Sequence, residues 1–115
     1  MSKEKVKRIW DALDDKKAHD IAIIDISNIS IMADYFVIAD GENRNQVQAM
    51  ADNVEDEMLK AGYHCKALNG YQSGNWILMD YQDVVVHVFH KEDRMFYDLE
   101  RLWRDGRHVS RDELN

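Results

Sequence analysis

The sequence contains no proline and only one cysteine, Cys65, among its 115 residues. Without a second cysteine no intrachain disulfide can form, so nothing indicates an oxidising compartment and the expected location is the cytoplasm. The sequence also lacks low-complexity stretches and internal repeats, and no segment has the composition of a linker. We therefore predict a single domain over residues 1–106, followed by a charged C-terminal tail over residues 107–115.

Long apolar runs are also missing, and basic residues are outnumbered. The segment after Met1 is amphipathic and not continuously apolar, so neither a signal peptide nor a membrane-spanning helix is expected.

The 22 acidic residues against 15 basic ones give a formal net charge of −7. This charge repels phosphate backbones, so we expect little direct contact with nucleic acid. A basic protein is the favoured partner, because complementary charge accelerates association.

Three amphipathic helices are predicted from apolar residues that recur every three or four positions. The first is capped by Ser2, the second is capped by Asn43 and stops at Gly62, and the third runs from about Glu92 to Arg104 before Gly106. Their apolar stripes consist of Val6, Ile9, Trp10 and Leu13; of Val47, Met50, Ala51, Val54, Met58 and Ala61; and of Met95, Leu99, Leu102 and Trp103.

The remaining apolar segments predict strands at Asp20–Ile26, Tyr35–Ala39, Tyr63–Leu68, Trp76–Asp80 and Val84–Phe89. The second helix is long enough to connect the second and third strands in parallel through a right-handed crossover. Only Tyr81, Gln82 and Asp83 separate the last two strands, which forces an antiparallel hairpin. The expected fold is α/β, with a mixed five-stranded sheet and flanking helices.

Two sets of residues could carry chemistry. Asp25, Asp80 and Asp83 could hold Mg²⁺ for phosphoryl or nucleotidyl transfer, but no glycine-rich loop or P-loop lysine is present to bind the phosphates. The simpler interpretation is that aspartates at a hairpin turn cap local backbone groups.

The second set is His87 and His90 with His64 or Cys65, all of which are usable zinc ligands. A packed or surface histidine is the simpler interpretation of His87, which lies in an alternating strand. No neighbouring feature activates the Cys65 thiol as a nucleophile. We therefore predict no catalytic residue, no metal and no cofactor.

The predicted hairpin has two different faces, because side chains alternate along a strand. One face is aliphatic and contains Ile77, Met79, Val84, Val86 and Val88. The other contains Trp76, Leu78, Asp80, Val85, His87 and Phe89, with Tyr81 close by. Aromatic and polar residues together are typical of the centre of a protein interface, although a core beneath a helix would also explain this face.

Six segments carry a resemblance to a known family. They are Asp34-Tyr35-Phe36-Val37-Ile38-Ala39, Arg44-Asn45-Gln46-Val47, Ala51-Asp52-Asn53-Val54, Gly74-x-Trp76-x-Leu78-x-Asp80-Tyr81, Asp83-Val84-Val85-Val86-His87-x-Phe89 and Arg94-x-Phe96-Tyr97-x-Leu99-Glu100-x-Leu102-Trp103. With these segments the sequence resembles the bacterial ribosomal silencing factor family, also called the Iojap family, from about Ile9 to Trp103.

The resemblance implies a nucleotidyltransferase-like fold without that superfamily's catalytic signature. It further implies binding to protein fourteen of the large ribosomal subunit, a block to subunit joining when nutrients are short, and homodimers in some members. The partner-binding residues that it implies are Trp76, Leu78, Asp80, Tyr81, His87 and Phe89, with Tyr97 and the last helix as further contributors. Fold alone does not establish function, so a nucleotide-binding or nucleotidyltransferase-like metal-dependent enzyme is the alternative.

Overall fold

A computed structural model describes residues 2–92 and 105–114, which contain two α-helices and six strands. In chain order these are α1 (Ser2–Asp15), β1 (His19–Asp25), β2 (Tyr35–Gly41), α2 (Arg44–Lys60), β3 (Ala67–Asn69), β4 (Trp76–Asp80), β5 (Val84–His90) and β6 (Arg107–Val109), followed by a short 3₁₀ helix at Arg111–Leu114. The third predicted helix, with Tyr97, lies outside the described residues apart from its first position.

The six strands form one mixed sheet in the order β3-β4-β5-β2-β1-β6. Strands β2 and β5 are parallel, and every other neighbouring pair is antiparallel. The α/β class, the mixed sheet and the β4–β5 hairpin are therefore confirmed. The prediction of five strands is wrong, because Arg107–Val109 adds a sixth.

The sixth strand comes from the segment that we predicted as a charged tail. Residues 107–109 pair with β1 in an antiparallel register that sets Val109 opposite Ile23. Val109 and Leu114 are each only 8% exposed and join the core. The segment is held by these two apolar side chains, by its pairing with β1 and by the bidentate contact of Arg111 with Asp11.

The predicted parallel pairing of the second and third strands is also wrong. The third strand is shorter than predicted, and it lies at the sheet edge, where Ala67 pairs with Asp80 of β4. Strand β5 takes the place beside β2 instead, with Val86 opposite Val37. Val37 and Val86 are fully buried, whereas all three residues of β3 are exposed, so this order buries the more apolar strand in the centre.

The buried residues of both helices match the predicted stripes, but only one of the two predicted N-terminal caps forms as expected. The Asn43 side chain accepts a hydrogen bond from the Gln46 amide at 2.8 Å, which confirms the cap of α2. Ser2 has another role, since its hydroxyl lies 2.9 Å from Asp34 Oδ2 and 2.5 Å from Asp83 Oδ2. These contacts connect the start of α1 to the end of the β1–β2 connection and to the turn between β4 and β5.

The sheet separates two apolar clusters. On one side, which we call the aliphatic face, Ile77, Met79, Val84, Val86 and Val88 pack in the same cluster as the buried residues of α1 and α2. On the other side, which we call the aromatic face, Phe89, Ile24, Ile26, Ala33 and Ile38 are buried, with Trp76, Phe36 and Val85 partly buried against them. Neither α1 nor α2 contributes to the aromatic face.

Candidate functional site

The candidate site is the aromatic face, and the hairpin register assembles it. Trp76 lies opposite Phe89, and Leu78 lies opposite His87, so residues of β4 and β5 with the same orientation are direct neighbours. Close backbone packing fixes the start of β4, because a Cβ on Gly70 would lie 2.1 Å from the Trp76 carbonyl oxygen. Gly70 also has φ +80°, a conformation that glycine adopts without strain.

A hydrogen bond between Trp76 and His87 defines the centre of the site. The indole Nε1–H donates to His87 Nδ1 at 3.1 Å. Because Nδ1 accepts this bond, the proton of the neutral imidazole must lie on Nε2. His87 is 4% exposed, and its Nε2 has no hydrogen-bond partner among the described residues. The site therefore contains a donor of fixed position whose bond is not made within the described part of the chain.

Among the described residues, three other aromatic contacts surround this pair. The ring centroids of Phe36 and His87 are 4.6 Å apart, those of Trp76 and Phe89 are 5.4 Å apart, and those of His87 and Phe89 are 6.2 Å apart. Distances of this size are favourable for aromatic pairs and hold both polar rings in one orientation.

Burial also decides the charge of His87. It lowers the pKa of His87 from 6.5 to about 4, because the imidazolium would lose its hydration. At neutral pH the ring is therefore uncharged, and it supports the Trp76 indole without placing a charge beneath the aromatic face.

A groove of about 440 Å³ runs beside this ring. Its walls are mainly apolar and come from β2, β4, β5, the connection between β1 and β2, the segment before β3 and the turn between β4 and β5. It is lined by Ser30, Met32, Ala33, Phe36, Lys66, Leu78, Asp80, Gln82, Val85 and His87. A second groove of about 390 Å³ between α1 and α2 has mostly charged or polar walls, including Arg8, Asp11, Asp15 and Glu57. Of these two grooves, only the first joins aromatic surface to a polar atom that lacks a partner within the described part of the chain.

The predicted partner-binding residues do not all reach the surface. Trp76, Leu78 and Asp80 are partly exposed on the aromatic face, whereas Phe89 is fully buried beneath them. Tyr81 is 2% exposed and belongs to the helix-covered cluster, so its placement beside the interface is wrong. Its amide closes the hairpin turn by donating to the Val84 carbonyl at 2.9 Å, and its ring packs into the core. Burial raises the pKa of Tyr81. Tyr97 lies outside the described residues.

The three aspartates of the hypothetical Mg²⁺ site are engaged separately. Asp80 accepts a hydrogen bond from the Gln82 amide at 2.7 Å, as predicted for an aspartate that caps the backbone of a hairpin turn. Asp25 accepts the amide and the hydroxyl of Ser27 at 2.9 and 2.6 Å, and these bonds lower its pKa. No contact among the described residues joins these carboxylates into one site.

Asp83 has a different environment from the other two. It accepts from Lys5 Nζ at 2.6 Å and contacts the Ser2 hydroxyl. Partial burial raises the pKa of Asp83, but the hydrogen bonds from Lys5 and Ser2 outweigh burial and hold the pKa below its ordinary value. Asp83 therefore serves as an anchor for the start of α1.

The hypothetical zinc ligands are not assembled either. Within residues 2–92 and 105–114, no three side chains of His, Cys, Asp or Glu are placed to hold one metal ion. His87 is a packed histidine, and burial raises the pKa of Cys65, which keeps its thiol protonated. The same ranges contain no helix that is long and apolar enough to cross a membrane.

Sequence reasoning missed several groove residues, chiefly Phe36, Met32 and Lys66. Phe36 faces His87 because β2 lies parallel to β5, a pairing that the sequence analysis assigned to another strand. Alternation along β2 places Phe36 and Ile38 on one face, and this pattern was available in the sequence. The positions of Met32 and Lys66 depend on loop conformations that have no comparable periodicity.

Comparison with known proteins gives one consistent result. A family model described as "Ribosomal silencing factor during starvation" matches residues 1–115. The ribosomal silencing factor RsfS of Bacillus subtilis is 47% identical over 95 residues, which are 83% of this chain and 80% of that protein.

Two solved structures are also similar. A crystal structure of a protein from Bacillus halodurans has a TM-score of 0.83 and 39% identity, and the match covers 93% of this chain and 97% of that one. An X-ray structure of a protein from Chromobacterium violaceum has a TM-score of 0.85 and 36% identity, covering 93% of this chain and 88% of that one.

Proposed function

Because this chain belongs to the ribosomal silencing factor family, we propose that it binds the large ribosomal subunit through that subunit's protein fourteen and prevents the small subunit from joining. Family membership supports association with the ribosome. The observation that supports a specific surface is the aromatic face, where Trp76 positions a neutral His87 beside an apolar groove. In this proposal the protein represses translation when nutrients are limiting.

The composition of this face suits a protein partner. Interface centres are enriched in aromatic side chains that contribute much apolar area, and Trp76 offers such a side chain in an orientation fixed by its hydrogen bond to His87. We propose Trp76, Leu78 and Asp80 as direct contacts, with His87 holding the Trp76 indole in place through its Nδ1. Phe89 supports them from below. The net charge of −7 favours approach to a basic ribosomal protein.

Simple occupation of space is enough to explain inhibition. The described residues have a radius of gyration of 12.8 Å and extents of 33 × 33 × 25 Å. A body of this size on the joining surface of the large subunit would exclude the small subunit without any covalent change. Inhibition should then require one bound molecule for each blocked subunit.

No feature of the described residues favours the alternative of a metal-dependent nucleotide enzyme. Asp25, Asp80 and Asp83 have separate local partners, and the groove beside His87 is mainly apolar. The nucleotidyltransferase-like architecture stays a prediction, as do homodimerisation and the cytoplasmic location.

The test is a titration of the protein into separated ribosomal subunits while the formation of joined ribosomes is followed by sedimentation. Joining should fall in proportion to the fraction of large subunits that carry the protein, and it should recover after dilution and affinity capture. Full inhibition at a small fraction of one molecule per subunit would contradict the steric mechanism. Inhibition that persists after removal would contradict it too.

A further inference from the structure

The loop between β1 and β2 exposes two large apolar side chains. Ile31 is 102% exposed and Met32 is 82% exposed, whereas Ile29, Leu59 and Leu68 are exposed by 46% or less. Single apolar side chains at a surface are ordinary, but two adjacent ones next to an apolar groove form a continuous patch of the kind found at binding sites.

Hydrogen bonds hold this loop in a defined conformation. The Ile26 amide donates to the Asp34 carbonyl at 2.8 Å, and the Asp34 amide donates to the Asp83 carbonyl at 2.7 Å, so both ends of the loop are fixed. Within it, the Met32 amide donates to the Ser30 hydroxyl oxygen at 3.1 Å. Ala33 is buried against the sheet. A loop that is ordered before binding loses less conformational entropy when a partner docks.

The exposed pair is continuous with the aromatic face. Ser30, Met32 and Ala33 form one wall of the groove, and Phe36, Leu78 and His87 lie in the same groove. Ile31 extends from the rim of this wall into solvent. A partner that contacts Trp76 and Leu78 would therefore meet Met32 and then Ile31 as it extends across the groove.

We propose that Ile31 and Met32 form an apolar prong that inserts into a pocket on a basic protein of the large ribosomal subunit. This inference rests on the proposed function and adds two contact residues to it. The net charge of −7 decides among possible occupants. It attracts a basic protein and repels an anionic lipid surface, while occupation by a second copy of the same chain is an outcome that the experiment below separates.

The expected effect is a loss of affinity without a loss of folding. Replacing both residues in the double variant Ile31→Ser and Met32→Ser removes the prong from a position that contributes nothing to the core. Apolar anchors that fill a partner's pocket are the residues whose truncation weakens binding most. We expect the dissociation constant for large subunits to rise at least roughly tenfold, which corresponds to about 1.4 kcal/mol.

The experiment measures co-sedimentation with purified large subunits for the wild type, the double variant and Leu59→Ser. Leu59 is a matched control, because it is 46% exposed but lies on α2, away from the aromatic face. The control should bind as the wild type does. Thermal unfolding of all three proteins checks that each is folded, and sedimentation of each protein alone reports its oligomeric state.

The possible outcomes separate this inference from the proposed function. Wild-type binding with a selective loss in the double variant supports the prong. Equal binding by all three proteins, or an equal loss in the Leu59 control, overturns the prong and leaves the proposed function standing. A double variant that changes only self-association assigns the pair to a second copy and also overturns the inference. A wild type that does not bind large subunits contradicts the proposed function, and the prong with it.

Discussion

The two faces of one hairpin differ in chemistry although they come from the same two strands, β4 and β5. On the aliphatic face, Ile77, Met79, Val84, Val86 and Val88 are fully buried and have no side-chain polar atoms. On the aromatic face, Trp76 and Leu78 are partly exposed, and His87 has a buried Nε2 without a partner among the described residues. The first face is covered by the helices, whereas the second leaves Trp76 and Leu78 partly open to solvent. The Tyr81 hydroxyl in the helix-covered cluster is also buried without a partner among the described residues, so partly exposed apolar area, and not the lone donor, distinguishes the aromatic face.

This difference separates stability from recognition. Apolar burial on the aliphatic face contributes to folding whether or not a partner is present. A buried donor without a partner among the described residues opposes folding by about 1–3 kcal/mol, and His87 Nε2 and the Tyr81 hydroxyl share this cost. The aromatic face differs because Trp76 and Leu78 are partly exposed and leave apolar area for a partner to bury. Variants on the two faces should therefore affect different measurements.

The largest expected effect is on stability and comes from the aliphatic face. Met79→Ala should lower the free energy of unfolding by about 2–5 kcal/mol, because it removes a fully buried side chain and leaves a cavity. Chemical denaturation measures this change. Binding to large subunits, expressed per folded molecule, should stay unchanged, and a selective loss of affinity would break the proposed division between the faces.

The next effect is on affinity and comes from Trp76. Trp76→Ala should leave the domain folded and weaken large-subunit binding by about 2 kcal/mol or more, which is roughly thirtyfold. Trp10→Ala is the matched control, since Trp10 is a partly buried tryptophan of α1 that packs against the helix-covered core. That variant should lose stability and keep its affinity. If Trp76→Ala unfolds the protein instead, the indole is a core residue.

A third effect concerns pH and sharpens the role of His87. The folded-state pKa of about 4 lies below the ordinary value of 6.5, so between these two values the unfolded chain binds more protons than the folded one. The contribution of neutral, buried His87 to the free energy of unfolding is therefore complete above about pH 6.5 and is lost as the pH falls towards 4. His87→Gln should flatten this part of the stability profile relative to the wild type, as measured by urea denaturation at several pH values.

The control for this profile is His64→Gln, since His64 is exposed. In this variant the free energy of unfolding should depend on pH between 6.5 and 4 as steeply as it does in the wild type. An unchanged slope in His87→Gln would mean that His87 is not held neutral by burial.

The smallest effect is electrostatic. Asp80→Asn can keep its hydrogen bond from the Gln82 amide, so the hairpin turn is retained while one charge is removed from the aromatic face. Association with large subunits should become slower and less dependent on salt. Asp56→Asn on α2 is the control and should leave both quantities unchanged. A salt response in Asp80→Asn that matches the wild type would remove Asp80 from the interface.

Local patterns were sufficient to predict the elements that dominate this fold. The stripe with Ile9 and Leu13, the Asn43 cap and the hairpin around Gln82 each depend on residues that are close in sequence. The sequence also predicted correctly which residues of β4 and β5 share a face, because alternation follows directly from strand geometry.

Pairing between strands that are distant in the sequence was harder to predict. The position of β3 at the sheet edge and the docking of Arg107–Val109 on β1 depend on competition among strands for the centre of the sheet. The groove depends on the β2–β5 pairing, which brings Phe36 to His87, so only its β4 and β5 walls could be predicted. Tyr81 was misplaced because it follows β4 in a turn, where alternation no longer determines the direction of a side chain.

The most direct test asks which face touches the large subunit. A photo-crosslinking amino acid is placed at Leu78 on the aromatic face or at Asp56 on α2, and each protein is irradiated with purified large subunits. Our account predicts a crosslink from position 78 to protein fourteen of that subunit and none from position 56. A crosslink from position 56 alone, or one from position 78 to another component, would contradict it.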